Sequence, residues 1–124
     1  MIDMNAYWIF VLKQNADKMR EFFQREAYVN WHNTNERFTV EEFIRANCEY
    51  PGEWEGDIER IETVNDLFIT VVHVYSTDKR QSFHVTSFIR VKDEKIISID
   101  EYWGDDGEPP EWRKMKNIGS KIRT

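Results

Sequence analysis

A chain of 124 residues with 40 % hydrophobic and 15 % aromatic content has room for one domain and enough apolar mass for a core, which argues against disorder. Its net charge of −6, with no stripe of Lys or Arg, argues against a nucleic-acid or anionic-membrane surface. The single cysteine, Cys48, excludes an intrachain disulfide and a cysteine-built metal site, and it reads as a small buried apolar group on a helix.

Met1-Ile2-Asp3-Met4 carries an acid where a signal peptide needs basic residues, and the apolar run Trp8–Leu12 is too short for a membrane span. A cytoplasmic protein is the expectation. Residues 5–14 read as a helix with Trp8 and Leu12 one turn apart. Asn15-Ala16-Asp17 interrupts it, and Asp17 is the expected N-cap of a second helix over 18–25 that buries Met19, Phe22 and Phe23. Ala27–Asn33 alternates and is rich in aromatic and β-branched residues, so it reads as a strand with Tyr28, Asn30 and His32 on one face and Val29, Trp31 and Asn33 on the other. Thr34–Phe38 reads as a loop. Thr39-Val40-Glu41-Glu42 is a capping box opening a helix over 40–48, which Tyr50-Pro51-Gly52 stops.

From Trp54 onward the pattern has period two. Strands are expected over Trp54–Thr63 and Leu67–Ser76, with turns at Val64-Asn65-Asp66 and Thr77-Asp78-Lys79-Arg80. The second of these turns places His73 beside His84 and Val71 beside Thr86. Gln81–Trp103 is a long hairpin around Asp93-Glu94. With a two-residue turn there, Val91 faces Ile96, Phe88 faces Ile99, Thr86 faces Glu101 and His84 faces Trp103. Unbroken alternation then puts His84, Thr86, Phe88, Ile99, Glu101 and Trp103 on one face, together with His73, Ile69 and Ile58. Phe83, Val85, Ser87, Ile89, Ser98, Asp100 and Tyr102 fall on the other. After Gly104 the basic tail Glu111–Thr124 carries Trp112, Met115 and Ile118 at helical spacing, which suggests that it folds back onto the domain.

Several stretches carry a family resemblance: Asn15-Ala16-Asp17, Val29-Asn30-Trp31-His32, Phe38-Thr39-Val40-Glu41-Glu42-Phe43-Ile44, and Asp93-Glu94-Lys95-Ile96 followed by Asp100-Glu101-Tyr102-Trp103. In this order, over almost the whole chain, the sequence resembles the nuclear transport factor 2-like superfamily in its polyketide cyclase SnoaL-like branch. One departure is Asp93-Glu94 where that family usually has an Asp-Gly turn. The resemblance implies a single α+β domain over residues 1–124. It would be a cone-shaped, strongly curved antiparallel sheet wrapped by about three N-terminal helices, enclosing an apolar pocket. The superfamily holds ketosteroid isomerase, scytalone dehydratase and polyketide cyclases, but also a transport protein that binds partners without catalysis, so the fold alone implies no reaction. Where ketosteroid isomerase has its catalytic and oxyanion-hole aspartates, this chain has about Trp31 and Phe88, so isomerisation of that kind is not expected.

The chemistry-bearing set is Glu101, His84 and His73 as proton-transfer groups, with Trp31, Asn33, Thr86, Phe88, Ile99 and Trp103 lining a ligand pocket. A carboxyl among aromatic side chains has a raised pKa, and an imidazole titrates near neutrality, so a Glu/His pair can move a proton on a small apolar substrate in a lyase or isomerase type of reaction. The same residues equally suit a satisfied hydrogen-bond network that stiffens a curved sheet, or a pocket that binds without reaction. His73, His84 and Glu101 are also the residue types of a facial-triad metal site, but no metal or cofactor is expected. Because the second face is too apolar to meet water, with Val72, Val74, Phe83, Val85, Ile89 and Tyr102, a symmetric dimer through the convex side of the sheet is expected, as the resemblance also implies.

Overall fold

The computed structural model describes residues 1–123. The elements run α1 (Met4–Leu12), α2 (Ala16–Arg20), β1 (Phe23–Trp31), β2 (Glu36–Thr39), α3 (Val40–Cys48), β3 (Trp54–Val64), β4 (Leu67–Ser76), β5 (Ser82–Lys92), β6 (Lys95–Asp105) and α4 (Glu111–Met115). All six strands form one sheet in the order β2-β1-β6-β5-β4-β3. The α+β cone architecture is therefore present. The sheet is mixed rather than purely antiparallel, because β1 runs parallel to β6.

Local chemistry sets the helices. Asp3 and Asn15 cap α1 and α2 with their side chains, Asn15 taking the role assigned from sequence to Asp17. α2 ends at Arg20, not at 25, because Phe22 lies in the turn that follows and Phe23 begins β1, both packing on the core instead of continuing a helical stripe. The capping box of α3 forms as expected, with Thr39 Oγ1 accepting from the Glu42 amide at 3.2 Å and Glu42 accepting from the Thr39 amide at 2.9 Å. Residues 36–38, expected in a loop, pair with β1 together with Thr39 as a short edge strand.

The turns at Asp78-Lys79 and Asp93-Glu94 sit where expected, the second with both central residues at positive φ. His73 pairs with His84. The β5–β6 register, however, slips by one just past the turn. Val91 pairs with Ile96 but Arg90 with Ser98, leaving Ile97 as the extra residue of a β-bulge. The cause is apolar spacing. Ile96 and Ile99 are three apart, strict alternation would send one of them to water, and the bulge buries both completely.

Ser87 now pairs with Glu101 and Val85 with Trp103. The concave face therefore carries Val85, Ser87, Ile89, Ile99, Glu101 and Trp103, whereas His84, Thr86, Phe88, Asp100 and Tyr102 are on the convex face. The single shared face expected from sequence is divided between the two sides of the sheet. Val72, Val74, Val85 and Ile89, which from sequence needed cover by a second chain, are buried beneath the protein's own helices with Tyr7, Trp8, Met19 and Phe43. The tail does not fold back: Trp112, Met115 and Ile118 are exposed.

Candidate functional site

Between α1, α3 and the concave side of β4–β6 lies a cavity of about 510 Å³. Trp8, Val11 and Leu12 of α1, Ala46 and Asn47 of α3, and Val74, Phe83 and Trp103 of the sheet form its walls. Trp31, Asn33, Thr34, Gln14, Tyr50, Trp54, Gly104 and Asp105 complete the lining. Four of the chain's five tryptophans line this space, so it is an aromatic chamber rather than a gap between poorly fitted helices. Most of the polar lining groups are already engaged. Gln14 Nε2 donates to the Asn47 and Tyr50 carbonyls at 2.8 and 2.9 Å, Asn47 Nδ2 donates to the Val11 carbonyl at 3.0 Å, and Asn33 Oδ1 accepts from the Trp103 amide at 2.7 Å. Asp105 is the one carboxylate among the lining residues, which include no Lys or Arg.

Glu101 sits beneath the aromatic floor, 2 % exposed, and is not itself a lining residue. Its Oε1 accepts from the indole N–H of Trp31 at 2.9 Å and of Trp103 at 3.2 Å, and its Oε2 accepts from Ser87 Oγ at 2.7 Å. Burial raises its pKa above the ordinary carboxylate range, opposed by these three donors. The carboxylate therefore acts as a clamp on two indole rings whose centroids lie 6.2 Å apart and edge-on. Tyr7 is buried nearby, its phenol pushed up first by burial and then by the Glu101 charge.

Of the residues singled out from sequence, Trp31, Asn33 and Trp103 meet at the cavity, with Glu101 directly behind two of them. Ile99 is plain core. Thr86 and Phe88 face outward from the convex side. His73 and His84 are on that side too, with their rings stacked at 4.8 Å, so the proposed Glu/His proton-transfer pair does not exist. His84 instead bonds Asp106 through Nδ1 at 2.5 Å and Glu59 through Nε2 at 3.2 Å, and the Asp106 contact raises its pKa. Sequence reasoning missed Trp8, Trp54, Phe83 and Asn47 as lining residues. The density of tryptophan was the available signal, because a polar-rimmed void is where so much flat aromatic surface can be used.

No family model matches the chain, and no curated protein matches its sequence. Among solved structures, a ketosteroid isomerase candidate from Kribbella flavida DSM 17836 superposes with a TM-score of 0.79 at 19 % identity, over 98 % of this chain and 87 % of that one. An NTF-2 like protein of unknown function from Burkholderia xenovorans LB400 gives 0.78 at 19 % identity, over 96 % and 91 %. A SnoaL-like polyketide cyclase candidate from Shewanella denitrificans OS-217 gives 0.67 at 8 % identity, over 92 % and 91 %. At these identities the likeness is one of fold.

Proposed function

The chain has the nuclear transport factor 2-like cone fold, and from it we propose that the protein binds a small, largely apolar molecule in the aromatic cavity without transforming it. The observation that carries this reading is the state of Glu101. Both of its oxygens accept hydrogen bonds from Trp31, Trp103 and Ser87, and Glu101 lies behind the aromatic rings and not among the described lining residues, whose one carboxylate is Asp105. A volume of about 510 Å³ suits a metabolite-sized ligand. The lone lining carboxylate, with no lining cation, favours a neutral or positively charged ligand, whose cationic group the indole faces would also attract.

The test is a thermal-shift and tryptophan-fluorescence screen of small neutral, cationic and anionic compounds. Neutral or cationic compounds are expected to raise Tm and quench the lining tryptophans. The cavity-filling Ala46→Trp variant is expected to stay folded and show neither effect. Anions alone binding, or hits that bind Ala46→Trp unchanged, would exclude this cavity as the site.

We further propose that two copies associate through the convex face. Its support is now a different set of residues: Leu67, Ile69, Val71 and Phe88 are only half-buried there, and Tyr28 and Tyr102 are exposed beside them. Sedimentation equilibrium at micromolar concentration is expected to show a dimer that Phe88→Arg converts to a monomer. A wild-type monomer would contradict it.

Among the described residues, no helix is long and apolar enough to cross a membrane.

A further inference from the structure

At the opposite end of the convex face from that apolar patch, near the β4–β5 turn, two imidazoles lie among three carboxylates. We propose that Glu59, His73 and His84 form a binding site for a single divalent transition-metal ion of the zinc class, with Asp106 as the outer partner that orients the ligands.

The argument rests on hydrogen-bond polarity. Ser82 Oγ lies 2.5 Å from Asp106 Oδ2, and an ionised carboxylate only accepts, so the hydroxyl donates to it. Toward His73 Nε2, 2.8 Å away, the same hydroxyl must then accept, so His73 carries its hydrogen on Nε2. His84 likewise places a hydrogen on Nδ1, against Asp106 Oδ1. Asp106 thus fixes both tautomers, one directly and one through Ser82, in the carboxylate–histidine arrangement that holds imidazole ligands in place.

The nitrogens that neither Asp106 nor Ser82 engages are His73 Nδ1 and His84 Nε2. Both are turned toward β3, the first 3.9 Å from Asp57 Oδ2 and the second 3.2 Å from Glu59 Oε2. With its hydrogen on Nδ1, His84 meets Glu59 Oε2 favourably only if Nε2 carries a second proton or a metal ion lies between the two atoms. The ligand atoms of Glu59, His73 and His84 all lie within 4.8 Å of one another. The edge of a tetrahedral zinc shell is about 3.3 Å, so the remaining closure is within reach of side-chain rotation. Glu59 arrives there by a backbone device. It is the extra residue of the bulge between Ile58 and Arg60, the kind of irregularity that re-aims a side chain. All three ligands are about one-third exposed, so an ion can reach them. Two imidazoles and a carboxylate select zinc, cobalt, nickel or copper over magnesium or calcium.

The competing cation is a proton on His84, and the experiment separates the two. Tag-free full-length protein is stripped with a chelator and titrated with Co²⁺, then with Zn²⁺. The expected result is one ion per chain with a dissociation constant below about 10 µM, a tetrahedral Co²⁺ spectrum that Zn²⁺ bleaches, and a zinc-dependent rise in Tm. Glu59→Gln and His84→Gln are each expected to weaken binding at least about tenfold, and Asp106→Asn to do so by loosening the ligands. His32→Gln, at the Asp100 end of the face, and Ala46→Trp, in the cavity, should bind normally, which keeps this result separate from the fate of the cavity proposal. No ion bound below about 10 µM, or binding that survives Glu59→Gln, would overturn the assignment. Glu59 lies on an edge strand with its side chain partly in water, so that variant remains informative if a histidine variant fails to fold.

Discussion

Replacing Glu101 by alanine is expected to remove about 3 kcal/mol of folding stability and to lower Tm by roughly 10 °C. The carboxylate accepts three hydrogen bonds, and its loss strands the fully buried Ser87 hydroxyl and two indole N–H groups. Each stranded donor costs about 1–3 kcal/mol, partly offset because a buried acid no longer has to be desolvated. Glu101→Gln should cost only about 1 kcal/mol, since its amide oxygen can still take both indoles while Ser87 turns its hydroxyl to accept from the amide nitrogen. The two variants also differ from wild type in pH dependence. Because the folded pKa of Glu101 is raised, the folded state holds this proton more tightly than the unfolded chain. The associated stability is fully present below the unfolded carboxylate value, about 4.3, and is lost as pH rises through the folded value. Urea denaturation across that range is expected to show this downward slope in wild type and its absence in Glu101→Gln. Wild-type stability in Glu101→Ala would mean that the clamp does not exist.

Trp103→Ala is expected to lower ligand affinity at least tenfold and to cost about 3 kcal/mol of stability. Trp103 forms cavity wall, packs edge-on against Trp31 and Phe83 at centroid distances of 6.2 and 6.0 Å, and donates to Glu101. Its removal enlarges the cavity, takes away aromatic contact area and frees one rotational restraint on Trp31. Trp103→Phe separates these effects, because the ring remains while the indole N–H is lost. That variant should keep most of the affinity and lose only part of the stability, as read by ligand titration and urea denaturation on the same samples. Equal affinity in Trp103→Ala and wild type would place the ligand elsewhere.

How far the sequence could be read follows from which physical rule governed each stretch. The capping box at Thr39, the His73–His84 pairing and the tight turn at Asp93-Glu94 are local, and local chemistry decides them. The phase of β6 is not local. The run Ile96-Ile97-Ser98-Ile99 breaks strict alternation, and burying both Ile96 and Ile99 costs a bulge that a two-residue period cannot represent. Everything upstream of that bulge on β5 changed sides relative to Glu101, which is why the carboxylate and the imidazoles, adjacent on paper, lie on opposite faces of the sheet. The end of α2 was misread for a related reason: Phe22 and Phe23 fit a helical stripe, but the core draws Phe23 into a strand. The tail pattern of Trp112, Met115 and Ile118 was real as a pattern, yet those side chains remain exposed.

Turnover decides between a pocket that binds and one that reacts. Compounds that raise the Tm of wild-type protein are incubated with it at high protein concentration, recovered, and identified by mass spectrometry alongside their affinities for wild type and Glu101→Gln. The expected result is quantitative recovery of unchanged compound and affinities within about threefold of each other, because Glu101 supports the floor without touching what lies on it. Formation of a product by wild type that disappears in Glu101→Gln would show instead that the buried carboxyl takes part in proton transfer, and the binding account would be wrong.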